Sequence, residues 1–167
     1  MTTEEVYTDA FDARLVAWTE VGNSPYLHDT DVDYVRSNTD GQEEGDWTFP
    51  NSVGSGTINS VKLRLQNRLS VIDCGEAEVY VWNGISWVYV GVIGTYGLDY
   101  SWEEIDVSAI LNSWDKINGA EVYLHYTKYA TGYIYVRRLT RKVDYSVAVA
   151  VVPVGGVVQQ AKLQDII

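Results

Sequence analysis

Residues 77–92 read AEVYVWNGISWVYVGV, and this stretch decides the fold class. Two runs in which apolar side chains alternate along the chain flank the dipeptide Asn83-Gly84. That dipeptide is preferred in the two-residue turns of β-hairpins, and period-two alternation is typical of half-buried strands. The stretch therefore predicts a β-hairpin that turns at Asn83-Gly84.

The same alternation recurs along the rest of the chain and predicts further strands at residues 31–36, 47–49, 57–69, 120–126 and 133–145. One helical turn is predicted near residues 108–114, because Ser108 can cap it and Ile110, Leu111 and Trp114 fall on one face at helical spacing. We therefore predict an all-β fold, an antiparallel two-sheet jelly-roll or β-sandwich of about eight strands with one short helix near 108–114.

The length of 167 residues fits one domain. We expect a β-sandwich domain over residues 1–145, in which 1–28 form an N-terminal arm and the first strand. Residues 146–167 are expected to be an apolar C-terminal strand and a tail that docks on its own or on a neighbouring subunit. Residues 147–154 carry no charge, so an open edge there would invite pairing with another chain.

The net charge of the chain limits the classes of ligand that it can bind. A formal net charge of −11 and a pI near 4.4 argue against nucleic acid, because phosphate binding needs a surplus of Lys and Arg. No apolar run is long enough to span a membrane, and the first residues are acidic where a secretory signal would be basic and then apolar. We expect no nucleic acid, no membrane insertion, and synthesis in the cytoplasm without a recognisable signal peptide.

Two resemblances to known families follow from longer segments. Residues 102–114, WEEIDVSAILNSW, resemble a segment of jelly-roll domains similar to carbohydrate-binding modules, in which a strand runs into a one-turn helix. That resemblance implies that Trp114 plugs one end of the sandwich. Residues 29–37, 57–64, 120–124 and 136–145 together resemble β-sandwich structural proteins of tailed phages and other viruses. The second resemblance implies a component of a virion or surface assembly.

The first functional hypothesis is a non-enzymatic structural subunit of a virion or extracellular assembly, such as a capsid-decorating, tail-associated or filament protein. Its partners would be copies of itself or a host structural lattice, held by strand addition, by the tail and by a basic stripe that meets acidic surface on the next subunit. The residues expected at this interface are Arg137, Arg138, Arg141, Val147, Val149, Val151, Ile166 and Ile167.

The alternative hypothesis is a carbohydrate-binding module that reads a surface polysaccharide. Sugar recognition needs exposed aromatic rings beside amides and carboxylates. If the valines of the hairpin face the core, its aromatic side chains face outward. The candidate ligand-binding residues are Trp82, Trp87, Tyr89, Tyr96, Tyr100 and Trp102.

The spacing of Asp29, Asp31 and Asp33 resembles the start of a calcium loop. An EF-hand is excluded because Tyr34 occupies the position that needs glycine. A calcium site of another kind, completed by Glu43, Glu44 or Asp46, stays open beside a plain strand whose aspartates face water. No other cofactor is expected.

A glycoside-active enzyme is the third hypothesis and has the least support. The acidic pairs Glu76/Glu78 and Glu103/Glu104 are available, yet hydrolysis needs two carboxyl groups facing each other across a cleft. The two histidines, at positions 28 and 125, belong to no recognisable catalytic motif. No catalytic residue is therefore predicted.

Overall fold

The computed structural model describes residues 1–12, 18–21, 34–39, 46–94 and 97–147. These residues form eleven strands and one short helix, α1, which spans Trp114–Asn118 and precedes the tenth strand. The strands are β1 (Thr2–Tyr7), β2 (Ala10–Asp12), β3 (Thr19–Val21), β4 (Tyr34–Ser37), β5 (Asp46–Thr48), β6 (Thr57–Leu69), β7 (Gly75–Trp82), β8 (Trp87–Ile93), β9 (Ser101–Asp106), β10 (Glu121–Lys128) and β11 (Ile134–Ser146).

The strands form two antiparallel sheets. The six-stranded sheet has the order β3-β4-β11-β6-β9, and β1 also pairs with β11. The long strand β11 has room for both partners on one edge, because β4 pairs with residues 134–136 and β1 with residues 140–145. The five-stranded sheet has the order β2-β5-β10-β7-β8. The predicted all-β, two-sheet fold is confirmed.

The core lies between the inner faces of the two sheets, where side chains at alternate positions are fully buried. Burial of one such aliphatic side chain contributes roughly 1.5–3 kcal/mol, so this layer stabilises the pairing of the sheets. Alternation also leaves every second side chain of these strands on an outer face of the sandwich. The central core residues are Val61, Leu63, Leu65, Val79, Val81, Val122 and Leu124.

The predicted hairpin is present as β7 and β8, but its loop is longer than expected. Four residues, 83–86, separate the strands, and Trp82 pairs with Trp87. Asn83 does not adopt the positive φ that a two-residue type I′ turn requires. Its side-chain Oδ1 instead accepts hydrogen bonds from the backbone N–H groups of Ile85 and Ser86, at 2.9 and 3.0 Å. The side chain therefore closes the wider loop.

The helix begins six residues later than predicted. Residues 107–111 form a single turn, in which the N–H of Leu111 donates to the carbonyl of Val107 at 2.9 Å. Ser108 does not cap a helix, because its hydroxyl donates to Asp106 at 2.6 Å. Ser113 caps α1 and accepts a hydrogen bond from the N–H of Lys116. At five residues, this helix of the described chain falls far short of the ~20 that cross a bilayer.

The basic residues of β11 do not share one face. A β-bulge between Val136 and Arg138 shifts the register at Arg137, and Arg141 then faces the core with no exposed surface. Its guanidinium donates to the carbonyls of Ile117 and Pro50. Burial lowers the pKa of Arg141 to about 10, which leaves it charged at neutral pH. The prediction of Arg141 as a contact with another subunit is corrected, because the side chain is enclosed by its own domain.

Candidate functional site

The predicted aromatic residues lie on two opposite faces of the sandwich, not in one group. Trp82, Trp87 and Tyr89 lie on the outer face of the five-stranded sheet. Trp102 belongs to β9, and Tyr100 is the residue before the first residue of that strand. Both side chains lie on the outer side of the six-stranded sheet. Tyr96 lies outside the described residues. Each outer face is therefore a separate candidate site.

The first candidate, which we call the acid-flanked aromatic face, consists of Asp46, Tyr80, Trp82, Trp87, Tyr89, Glu121 and Tyr123. Strand register positions its rings. Tyr123, Tyr80 and Tyr89 are direct neighbours across β10, β7 and β8, and Trp82 pairs with Trp87 in an adjacent row. Neighbouring strands lie about 4.8 Å apart, so side chains in such rows touch.

The rings of this face contact one another. Tyr80 stacks parallel on Tyr123 with centroids 4.6 Å apart and 9° between the planes, and Trp87 meets the edge of Tyr123 at 4.6 Å. Tyr89 lies 5.6 Å from Tyr80, and Trp82 lies 5.6 Å from Trp87. Mutual packing of aromatic rings restricts their rotamers. The five rings therefore form a continuous, ordered surface.

A cavity of about 250 Å³ opens on this face and is lined by Asp46, Trp82, Trp87 and Glu121. Strand order β5-β10-β7-β8 places both carboxylates on one side of the two indoles. Asp46 is largely buried, with 7% of its surface exposed. The cavity thus combines apolar ring surface with hydrogen-bond acceptors along one rim.

Four members of this face were not predicted: Tyr80, Tyr123, Asp46 and Glu121. The alternation of residues along β10 could have predicted that Glu121 and Tyr123 share one face, because the buried Val122 lies between them on the opposite face. What the sequence did not indicate is that β10 lies beside β7.

The second candidate, which we call the arginine-aromatic face, covers the outer side of the six-stranded sheet and consists of Arg36, Arg64, Arg68, Tyr100, Trp102, Tyr133, Tyr135 and Arg137. Here each ring contacts a guanidinium. The Arg68 guanidinium carbon lies 4.0 Å from the ring centroid of Tyr135 and 5.2 Å from that of Tyr100. Such cation–π contacts hold both partners in place.

The charges of this face are unequally neutralised. Arg64 forms ion pairs with Glu5 at 2.6 Å and with Glu104 at 2.8 Å. No carboxylate of the described residues forms an ion pair with Arg36 or Arg68. The face therefore carries positive charge in a strongly acidic protein.

Burial raises the pKa of Tyr100, and its hydrogen bond with Arg68 and the charges of Arg68 and Arg137 oppose that rise. At neutral pH the ring therefore keeps its proton and adds no negative charge to the arginine-aromatic face.

The predicted assembly residues are only partly described. Arg137 occupies the bulge, donates to Gln66 at 2.8 Å and contacts Tyr100, and Arg138 is half-buried. Val147 is 56% exposed. Val149, Val151, Ile166 and Ile167 lie outside the described residues, so self-association through them stays a prediction.

The structure does not test the predicted calcium site, because Asp29, Asp31 and Asp33 lie outside the described residues. Within the described part of the chain, no three His, Cys, Asp or Glu side chains are grouped so that they could hold a metal ion. Asp46, one of the suggested partners, instead lines the cavity of the acid-flanked aromatic face.

The two acidic pairs have separate surroundings. Glu103 is largely buried and accepts hydrogen bonds from Asn67 and from the N–H of Gly94, both at 3.0 Å. Glu104 points to the other side of β9, where Lys62 donates to it at 3.0 Å. Alternation along the strand therefore separates these two carboxylates across the sheet.

Glu76 and Glu78 share the outer side of β7. Glu76 accepts a hydrogen bond from Tyr129 at 2.6 Å, and Glu78 accepts one from Tyr80 at 2.9 Å. Both carboxylates thus lie along one strand and accept hydrogen bonds from tyrosine hydroxyls, whereas glycoside hydrolysis needs two carboxyl groups that face each other across a cleft.

Comparison with known proteins gives matches of low similarity. No family model and no curated protein matches the sequence. Among solved structures, a family 36 carbohydrate-binding module of a multidomain xylanase from the hindgut metagenome of Trinervitermes trinervoides aligns with a TM-score of 0.49 and 8% identity, over 88% of this chain and 100% of that one. A family 29 module from Piromyces equi aligns with a TM-score of 0.47 and 14% identity, over 86% and 91%.

The C-terminal family 6 module of a marine laminarinase from Zobellia galactanivorans aligns with a TM-score of 0.45 and 10% identity, over 86% of this chain and 100% of that one. These structures give no support to the resemblance to viral structural proteins. At this level of similarity they indicate nothing about the ligands of this chain.

Proposed function

We propose that this chain is a non-catalytic module that binds a neutral polysaccharide on the acid-flanked aromatic face. The observation that carries the proposal is the cavity in which the indoles of Trp82 and Trp87 meet the carboxylates of Asp46 and Glu121.

The chemistry of this face complements that of a sugar. A sugar ring has apolar C–H faces, which pack on aromatic rings, and hydroxyl groups, which donate hydrogen bonds. Hydrogen bonds to ionised carboxylates are roughly twice as strong as those between neutral groups. Asp46 and Glu121 can accept from hydroxyls while Trp82 and Trp87 contact the ring. Carboxylate oxygens accept hydrogen bonds and offer no donor to an anionic ligand, so the face favours an uncharged one.

The size of the cavity suits one sugar unit of a polysaccharide. A cavity of about 250 Å³ lies just below the ~300–1,000 Å³ typical of small-molecule pockets. The aromatic surface continues beyond the cavity through Tyr123, Tyr80 and Tyr89. One sugar unit would occupy the cavity while its neighbours rest on the exposed rings.

Binding is favoured over hydrolysis by where the two carboxylates lie. Glycosidases place two carboxyl groups on opposite sides of the scissile bond. Asp46 and Glu121 come from the adjacent strands β5 and β10, on the same side of the tryptophans. A ligand packed on the indoles would meet both from one side, which suits hydrogen bonding to its edge.

The test is affinity gel electrophoresis, followed by calorimetry, with soluble β-glucan, mannan and xylan as separate probes. Replacement Trp87→Ala should lower affinity for the bound polysaccharide roughly 30-fold, the scale of a central aromatic contact. Trp102→Ala removes an indole from the opposite face and is the matched control. Trp87→Phe, which keeps a ring, should retain part of the affinity if Trp87→Ala is too unstable.

The proposal is contradicted if the wild-type chain binds none of the three polysaccharides, or if Trp87→Ala and Trp102→Ala reduce binding equally while both remain folded by circular dichroism.

A further inference from the structure

The outer side of the six-stranded sheet carries a row of alternating arginine and tyrosine side chains. Tyr135 on β11 is the direct neighbour of Arg36 on β4 and of Arg68 on β6. Tyr100, next to Arg68, continues the row toward β9. Three interstrand spacings of about 4.8 Å make this row about 14 Å long. The row therefore runs across the strands.

Arg36 and Arg68 each carry five N–H donors, of which Arg68 gives one to Tyr100 and the Nε of Arg36 is buried without a partner. A guanidinium is planar, and its N–H donors point outward in that plane. The guanidinium carbon of Arg68 lies 4.0 Å from the ring centroid of Tyr135, and that of Arg36 lies 4.9 Å from the ring centroid of Tyr133. The in-plane donors match the geometry of a carboxylate, which can accept two parallel hydrogen bonds from one arginine. The row thus alternates carboxylate-binding groups with ring surfaces.

Charge sets this surface apart from the acid-flanked aromatic face. The chain carries a net charge of −11, yet Arg36, Arg68 and Arg137 are brought together here by three different strands. The described residues provide neither Arg36 nor Arg68 with a carboxylate, whereas Arg64 has two. A ligand that supplies regularly spaced carboxylates would complete this arrangement.

We propose that the arginine-aromatic face is a second binding surface, and that it binds a uronic-acid polysaccharide. Carboxylates of the ligand pair with Arg68 and Arg36, and its sugar faces pack on Tyr135 and Tyr100. The surface lies on the opposite side of the sandwich from the acid-flanked aromatic face. Its binding of an acidic polysaccharide therefore does not depend on the neutral-glycan site.

The test is calorimetry of the full chain with oligogalacturonate and with its fully methyl-esterified form, which has the same backbone without the charges. We expect binding of the acid form only. Arg68→Gln should weaken it about tenfold or more, the effect of losing one charge-assisted contact. Lys62→Gln is the matched control, since it removes one positive charge from the same strand, β6, at a side chain outside this face that already pairs with Glu104.

Arg68→Lys keeps the charge but loses the planar fork, and it should give an intermediate loss if Arg68→Gln does not fold. Raising NaCl from 0.05 to 0.5 M should weaken binding severalfold, because exposed ion pairs are screened. The proposal is overturned if the wild-type chain does not bind the acid form, if it binds the ester equally, or if Lys62→Gln and Arg68→Gln lower the affinity equally.

Two further outcomes would also overturn it. Binding of dextran sulfate without oligogalacturonate would identify sulfate groups as the ligand. Self-association that disappears in Arg68→Gln, measured by sedimentation, would identify a second copy of the chain as the occupant.

Discussion

The two outer faces of this sandwich present the same kinds of ring in opposite electrostatic settings. On the five-stranded sheet, tyrosines and tryptophans pack on one another and two carboxylates flank them. On the six-stranded sheet, the rings of Tyr100, Trp102, Tyr133 and Tyr135 each contact an arginine. Aromatic content alone therefore does not define a ligand. The charged groups between the rings determine which ligand each face can accept.

The contrast also extends to how the rings are held. Tyr80 and Tyr123 are fixed by parallel stacking, which leaves an uncharged surface. Tyr135 and Tyr100 are bridged by Arg68, which leaves a charged one. An uncharged sugar suits the first arrangement and an acidic sugar suits the second.

Replacement of Arg141, an arginine that belongs to neither face, should change stability more than any other substitution proposed for this protein. Arg141→Ala leaves a cavity in the core and removes the donors to the carbonyls of Ile117 and Pro50. We expect a loss of about 3 kcal/mol in the free energy of unfolding, measured by urea denaturation. Glycan affinity of the folded protein should not change. A loss below about 1 kcal/mol would show that these contacts contribute little.

A smaller effect is expected from one carboxylate of the acid-flanked aromatic face. Glu121→Gln keeps the shape of the side chain but replaces a charged acceptor with a neutral one, so affinity for the neutral polysaccharide should fall about tenfold. Glu78→Gln is the control, because Glu78 bonds to Tyr80 and does not line the cavity. Calorimetry on both variants measures the difference. Equal affinities of the Glu121→Gln and Glu78→Gln variants for the polysaccharide would show that Glu121 does not contact the ligand.

The smallest effect concerns pH and the carboxylates near the arginine-aromatic face. Hydrogen bonding from Lys62 lowers the pKa of Glu104 below its ordinary 4.5, and hydrogen bonding from Ser108 lowers that of Asp106 below 3.8. Groups with lowered pKa stabilise the fold fully above those ordinary values. The contribution is lost as pH falls through the lowered pKa values, because the unfolded chain takes up protons first.

The melting temperature should therefore fall as pH drops below about 4.5, and the fall should be shallower in Glu104→Gln. Since both groups are well exposed, the difference will be modest. An unchanged pH profile in that variant would contradict the role given to the Lys62–Glu104 pair.

The alternation of apolar and polar residues predicted those strands whose structure is determined by residues close together in the sequence. The alternation of Val61, Leu63 and Leu65 predicted β6 with its correct bounds and buried face. The helix was misplaced, because Ser108 can cap a helix or bond to Asp106 and the sequence does not show which. Short-range competition between hydrogen bonds decides such boundaries.

The site depended on pairing between distant strands, which alternation does not reveal. Trp82 and Trp87 were found together because a hairpin joins them. Trp102 was placed with them and lies instead on the opposite face, because β9 pairs with β6. Arg141 was misjudged because its partners, the carbonyls of Ile117 and Pro50, are far away in the sequence.

Binding of a neutral glycan to the acid-flanked aromatic face can be observed at the indole N–H signals of the tryptophans in NMR. A neutral oligosaccharide of the class found by gel electrophoresis would be titrated into the ¹⁵N-labelled full chain. We predict that the signals of Trp82 and Trp87 shift in proportion to saturation, while those of Trp102 and Trp114 stay in place. Shifts confined to Trp102, or no shifts at Trp82 and Trp87 while the sugar is bound, would contradict it.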